Sequence, residues 1–375
     1  MKLLDFINTT YDWEDILSKP PYCIEIKKDG DYILLKYNQL ESDFNLPIVQ
    51  ECRGCIIKKQ EVVLDILQPT QYNFVCRPFD KFFNYGEQQA AKINWNTAFV
   101  SSKIDLSLMK IYWDREWKLS TNGTINAFNA PTRVDNISFG DVFFKAANIS
   151  DLNEWCNGLD KEYTYMFELT SPETRVVIDY DYGVYFLAKR HTFLGRYADN
   201  IEEVYNLQNI QFPGIYTLKD LQSCLSLVEK MSFDEEGIVV ADKHGNRIKI
   251  KSREYLLRAK LYGQGQKSDD YLLEIIFNGT EDDLLAYCPE YKERIDELKL
   301  GIIKYENLCD KLWNEYSNLL PDRKSFALAV KDYIVADYLF YKADKKEIAV
   351  KPFEYLKNKT ISKATNVISY FLQEV

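Results

Sequence analysis

Between Ser102 and Met109 the chain alternates apolar Ile104, Leu106 and Leu108 with polar Lys103, Asp105 and Ser107. A period of two predicts a half-buried β-strand with the amine, the carboxylate and the hydroxyl on one face. In isolation, a lysine two residues from an aspartate reads as an ion pair on a solvated edge. A second stretch, Arg247-Ile248-Lys249-Ile250-Lys251-Ser252, alternates in the same way and sets three cations along one face. If the two faces meet, the added positive charge opposes protonation of Lys103 and leaves an amine able to attack phosphorus.

The rest of the composition narrows the chemistry. Of 375 residues only two are histidines, His191 and His244. A histidine base or a histidine metal site is therefore poorly supplied, and carboxylates and lysines must carry any reaction. Eight cysteines show no regular spacing. Cys52-Arg53-Gly54-Cys55 lacks a second pair to complete a zinc site, so reduced, partly buried thiols of a cytoplasmic protein are expected. No apolar run approaches the roughly 18 residues of a membrane helix, and the start lacks the apolar core of a signal peptide. The net charge of −10 argues against indiscriminate polyanion binding. Cations nevertheless cluster between Lys243 and Lys267, which implies one directed anionic ligand.

Taken in order, the chain opens with a short helix and two strand-like runs separated by Asp29-Gly30, a hairpin signal. Arg53 either caps a turn or forks phosphate oxygens. Arg77-Pro-Phe-Asp-Lys-Phe-Phe-Asn84 joins two cations to three phenylalanines, a pattern of core or of a base-stacking, phosphate-gripping site. A hairpin-like return follows at Trp117–Thr124, with Asn122-Gly123 as a turn signal. Residues 141–160 read as helical. Glu168 then interrupts the apolar strand Tyr163–Leu169, where it is paired with Arg175 or waits for a ligand hydroxyl or a metal. Residues 196–230 predict a helical insertion with a loop at Pro213-Gly214. Glu236-Gly237 precedes the strand-like run Ile238–Ala241. Beyond the polar stretch 263–270, Ile295, Leu298, Ile302, Tyr305, Leu308, Leu312 and Tyr316 recur at helical spacing, so the C-terminal part is expected to be all-helical.

Six of these stretches, in this order, resemble the covalent nucleotidyltransferases, which comprise ATP-dependent polynucleotide ligases and mRNA capping enzymes. They are Glu51-Cys-Arg-Gly, Arg77–Asn84, Lys103-Ile-Asp105, Phe167-Glu-Leu-Thr-Ser-Pro, Glu236-Gly and Ile248-Lys-Ile-Lys-Ser. The versions here are similar to those of the phage-type RNA ligase 1 proteins, over roughly residues 50–255 and on into a helical domain. The resemblance implies an α+β fold. Two packed antiparallel sheets with flanking helices would form an adenylyltransferase domain over residues 1–260, and residues 261–375 an all-α domain for RNA or tRNA recognition.

It also implies a chemistry. Lys103 would attack the α-phosphorus of ATP. Lys249 and Lys251 would hold the α-phosphate, and Arg53 and Lys81 the departing phosphates. Glu168 would accept from a ribose hydroxyl, Asp105 and Glu236 would orient Mg²⁺ (or Mn²⁺), and Phe83 or Phe186 would stack on adenine. The substrate implied is RNA with 5′-phosphate and 3′-hydroxyl ends, such as cleaved tRNA, joined by a monomer that works beside a polynucleotide kinase-phosphatase. A ligase for other RNA or single-stranded DNA ends, or a binding homologue that has lost turnover, are the alternative readings. Two departures stand out. The glycine expected after Asp105 is Leu106, which excludes most positive-φ conformations and which the alternation sends into the core. The lysine common near position 122 is Asn122.

Overall fold

A computed structural model describes residues 2–60, 71–132, 134, 136–174, 181–232, 234–252, 268–285, 289–345 and 349–372. The chain divides into two compact units, Met1–Arg258 and Ala259–Val375. Arg175, Arg253, Arg258, Lys260, Lys267 and most of the polar stretch 263–270 lie outside the described residues. No helix among the described residues is long and apolar enough to cross a membrane.

The first unit is α+β, as expected, and its strands form three sheets. The N-terminal sheet runs in sequence order, β1 (Ile24–Asp29), β2 (Tyr32–Tyr37), β3 (Arg53–Lys59) and β4 (Tyr72–Cys76), with antiparallel neighbours. The strands β5 (Phe83–Asn84), β6 (Phe99–Ser102), β7 (Ser107–Asp114), β8 (Glu116–Thr121), β9 (Tyr163–Thr170), β10 (Gly183–His191), β11 (Ile210–Gln211), β12 (Ile215–Tyr216), β13 (Gly237–Ala241) and β14 (Arg247–Lys251) make two five-stranded sheets. A middle sheet has the order β11-β10-β9-β7-β8 and a third sheet the order β12-β6-β13-β14-β5. Pairing is antiparallel except for the short edges β10–β11 and β5–β14.

Alternation puts each sheet's apolar set against its own helices. In the N-terminal sheet Ile33, Leu35 and Ile57 share a core with Leu3, Ile7 and Leu17 of the opening helices. Leu34 and Ile56, on the other face, pack on Tyr112 of β7. In the middle sheet Met109, Ile111, Tyr165, Phe167 and Leu169 meet Val142 and Phe143 of the helix Phe139–Ala147. That helix starts at a capping box in which Ser138 and Asp141 satisfy each other's backbone N–H. The third sheet sets Val100, Ile238, Val240, Ile248 and Ile250 against Cys224 and Val228 of the helix Leu221–Val228. The opposite face of the middle sheet therefore carries Leu108, Lys110 and Tyr112 from β7 and Met166, Glu168 and Thr170 from β9.

Three local expectations change. Ser102–Met109 is not one strand: β6 ends at Ser102 and β7 begins at Ser107, so residues 103–106 carry the chain from the third sheet to the middle one. Half of the alternating stretch, Lys103 to Leu106, belongs to neither strand, so the period of two there reports the crossing and not a strand. Second, the β7–β8 hairpin turns at Arg115, which adopts φ +66, with Asp114 opposite Glu116. Arginine is a weak turn residue, and Asn122-Gly123 lies beyond β8. Third, residues 196–230 are mostly not helical. A 3₁₀ turn, Glu202–Asn206, and the helix Leu221–Val228 flank β11 and β12, and Pro213-Gly214 between those strands links the middle sheet to the third.

The described residues of the second unit are helical. In its longest helix, Lys292–Tyr316, Ile295, Leu298, Ile302, Tyr305 and Leu312 are buried, as their spacing predicts.

Candidate active site

Register alone brings the central residues together. In the third sheet Ile238 of β13 lies opposite Ser102 of β6, and Gly237 lies opposite Lys251 of β14. The Lys103 N–H donates to the Gly237 carbonyl at 2.9 Å, and the Ser252 N–H to the Glu236 carbonyl at 2.9 Å. Glu236 is thus fixed between two lysines. Its Oε2 lies 2.5 Å from Lys103 Nζ and its Oε1 2.5 Å from Lys251 Nζ. Glu236 and Lys251 are buried, and the Lys103 side chain is 19% exposed. Gly237 has φ +141, and a Cβ there would strike the Ile250 carbonyl. Only glycine allows β14 to approach so closely.

The middle sheet supplies the other side. Glu168 of β9 accepts a bond of 3.1 Å from the Leu106 N–H. The 103–106 crossing is therefore tied to β13 at one end and to β9 at the other. Leu106 is half-buried and does not adopt positive φ, so leucine causes no backbone strain at the position where the resemblance implied glycine. Burial pushes the Glu168 carboxyl up to about 7, with Lys103 and Arg53 opposing the rise and Asp105 and Glu236 adding to it. Some of its surface is still accessible; burial is the larger cause of the rise, and the crowding of three carboxylates adds to it.

Arg53 begins β3 and lays its guanidinium 5.0 Å from the Phe82 ring centroid, and Lys249 of β14 reaches the same ring at 5.8 Å. Lys103, Asp105, Glu236 and Arg53 act on the Glu168 carboxyl, Lys251 meets Glu236 and Lys249 shares Phe82 with Arg53, so four cations and three carboxylates form one cluster. Lys81 lies outside that group in its ring contacts, with Nζ 3.8 Å from the Phe44 centroid and 5.5 Å from that of Phe83. Arg247, the third cation of the β14 pattern, stacks on Tyr197 at 3.9 Å and belongs to the packing.

Neither phenylalanine expected to stack on a base presents an open ring. Phe83 is 5% exposed and opposite Ile248. Phe186 is opposite Phe167 and packs in the core with Phe143, on the face of the middle sheet away from Glu168. The period of two decides this: Tyr185, not Phe186, shares the Glu168 face, because Tyr185 is the residue paired with Glu168. Sequence reading also passed over half-buried Phe82, although it stands next to Phe83 in the quoted motif.

Among the described residues no group of three or more His, Cys, Asp or Glu could hold a metal ion unaided. The donors fit Mg²⁺ or Mn²⁺ in its usual manner, with one or two carboxylates and the remaining positions filled by water and phosphate oxygen. Both Glu236 oxygens already meet a lysine, so a metal there would share them with those ammonium groups.

A family model for RNA ligase matches residues 51–262, more than half of the chain. The chain belongs to the RNA ligase family. It is 32% identical over 287 residues to a protein of Autographa californica nuclear polyhedrosis virus named for a bifunctional polynucleotide kinase/RNA ligase, covering 71% of this chain and 39% of that one. An RNA ligase of Rhodothermus phage RM378 is 24% identical over 398 residues, 86% of this chain and 87% of the relative. The chain therefore spans about two fifths of the viral relative and most of the phage one. Among solved structures, an archaeal ATP-dependent RNA ligase covers 80% of this chain and 77% of its own at 16% identity, with a TM-score of 0.48.

The crowded carboxylates of this RNA ligase family member have a measurable consequence. Glu168 holds its proton more tightly folded than unfolded, so between about pH 4.5 and pH 7 the folded state binds more protons and loses stability as pH rises. The loss is on the order of 1–3 kcal/mol. Glu168→Gln removes it: thermal unfolding of the ATP-free variant should depend less on pH across that window than the wild type. An unchanged slope would place the proton elsewhere.

Proposed function

We propose that this chain is an ATP-dependent RNA ligase that seals 5′-phosphate and 3′-hydroxyl ends of cleaved tRNA through lysyl-AMP and RNA-adenylate intermediates. The observation that carries the reading is the placement of Lys103 beside Lys251 and Glu236, at the chain crossing that also holds Glu168. A nucleophilic amine needs cations near the phosphorus it attacks and an ordered partner until the substrate arrives.

In the free protein the Lys103 amine is engaged by Glu236, so the pair must open before attack. Lys103 Nζ then forms a bond to the α-phosphorus as the bond to the pyrophosphate oxygen breaks, and the amine gives up its proton. Lys249 and Lys251 balance the charge on the α-phosphate oxygens, and Arg53, with Lys81 nearby, receives the pyrophosphate. Glu168 accepts from a ribose hydroxyl. Asp105 and Glu236 would hold a divalent metal, which would supply charge neutralisation at the phosphates. An oxygen of the RNA 5′-phosphate next takes AMP from Lys103, breaking the N–P bond. The 3′-hydroxyl oxygen finally attacks the 5′-phosphorus, and AMP leaves.

The tRNA preference is assigned to the all-helical unit. Its Tyr333 and Tyr370 are 38% and 44% exposed, and such rings suit stacking on unpaired bases. The chain is taken to act as a monomer in the cytoplasm, with ends prepared by a polynucleotide kinase-phosphatase. The kinase/ligase name of the viral relative supports that pairing of activities.

The test is sealing of a cleaved anticodon stem-loop by the full chain with ATP and Mg²⁺. A product is expected from 5′-phosphorylated RNA and not from 5′-hydroxyl RNA unless a kinase is added. Sealing of unrelated single-stranded RNA or DNA at an equal rate would contradict the tRNA assignment, and no sealing of any of them would contradict the ligase.

A further inference from the structure

One buried cation has no part in the chemistry above. Lys110 of β7 is 0% exposed, and no carboxylate pairs with it among the described residues. Its Nζ donates to one group, the carbonyl of Gly54. Burial lowers the pKa of this ammonium, and Arg53 adds to the effect. An uncompensated charge in a core is costly, and a methionine would fill the same space without that cost. Some gain must offset it.

The gain is legible in the strand it reaches. Leu35 pairs with Cys55 and Lys36 pairs with Arg53, so Gly54 is the extra residue of a β-bulge in β3. It has φ +75, and a Cβ there would lie 2.5 Å from the Asn122 carbonyl. A bulge takes one residue out of the ladder and re-aims the side chain beside it. The carbonyl so displaced needs a donor, and the side chain beside it is Arg53. Lys110 also shares its face of the middle sheet with Glu168, since Leu108, two residues before it, is the residue paired with Glu168. Its bond to Gly54 thus fixes Arg53, on the N-terminal sheet, relative to the Glu168 face of the middle sheet.

We propose that Lys110 is a positioning residue for Arg53: by holding the bulge carbonyl it aims the guanidinium at the outgoing pyrophosphate and backs it with a second positive charge. This rests on the adenylylation reading above. Lys110 acts in the steps that involve the triphosphate or pyrophosphate, and not in joining an RNA that already carries AMP.

The test uses the full chain and Lys110→Met, with folding checked by thermal unfolding. Half-saturating ATP for protein labelling, and half-saturating pyrophosphate for release of AMP from labelled protein, should each rise about tenfold, or ~1.4 kcal/mol. Joining of pre-adenylylated RNA without ATP should stay within about twofold. In an Arg53→Ala background Lys110→Met should add nothing further, because it acts through Arg53. Where Lys110→Met does not fold, Lys110→Gln, which keeps a shorter donor, carries the same cycle with the same outcomes. A folded variant with wild-type half-saturation, an additive loss in the Arg53→Ala background, or an equal loss in joining pre-adenylylated RNA would overturn the proposal. A wild-type chain that takes no label would overturn the adenylylation reading itself, and this proposal with it.

Discussion

Glu236→Ala is expected to destabilise the first unit by roughly 3–5 kcal/mol, the usual cost of removing one partner from a buried ion pair. The size follows from what is left behind. Lys251 is 5% exposed along its side chain and Glu236 is 1% exposed, so the variant leaves an ammonium in the core. Lys103, at 19%, reaches water and adds less. The double variant Glu236→Ala, Lys251→Met should recover most of the loss, because the buried ammonium that faced the lost carboxylate is gone as well. Urea unfolding followed by tryptophan emission reads this directly, since five of the six tryptophans lie in the first unit. A loss below about 1 kcal/mol, or no recovery in the double variant, would mean that the Glu236 bridge is not a structural feature of the free protein.

That bridge also marks how far the sequence could be read. Strands and a helical C-terminal part were legible from local period, whereas the charged set Arg53, Lys103, Glu168, Glu236, Lys249 and Lys251 was picked out by the resemblance of its motifs taken in order. What was not legible depends on partners far along the chain. Cations facing Lys103 were foreseen from the β14 pattern, but the group in contact with its Nζ is a carboxylate, because β13 lies between β6 and β14 and brings Glu236 into the middle. No spacing reveals strand order. For the same reason Phe186 looked like a stacking ring. Its face is set by the pairing of Tyr185 with Glu168, which exists only in the folded sheet. The break at residues 103–106 was hidden because the alternation that suggested a strand runs through the crossing itself, which belongs to neither β6 nor β7, and the turn at Arg115 by a residue that seldom turns a hairpin. Lys110 gave no signal at all, since a lysine on an alternating strand reads as solvated until its strand is seen covered.

The central claim is that Lys103 is the nucleophile, and its removal should have the largest functional effect of any substitution in the chain. Lys251 and Glu236 would still surround the position, yet the other lysines of the β14 motif have contacts of their own: Lys249 lies over Phe82 and Lys251 meets Glu236. Incubating the chain with α-labelled ATP and Mg²⁺ and denaturing it in acid measures the covalent step alone. The wild type, first freed of any pre-bound AMP, should carry up to about one AMP per chain and lose it on addition of pyrophosphate, whereas Lys103→Ala should carry none. Equal labelling of Lys103→Ala would contradict the assignment of the nucleophile, and an unlabelled wild type would contradict the covalent mechanism.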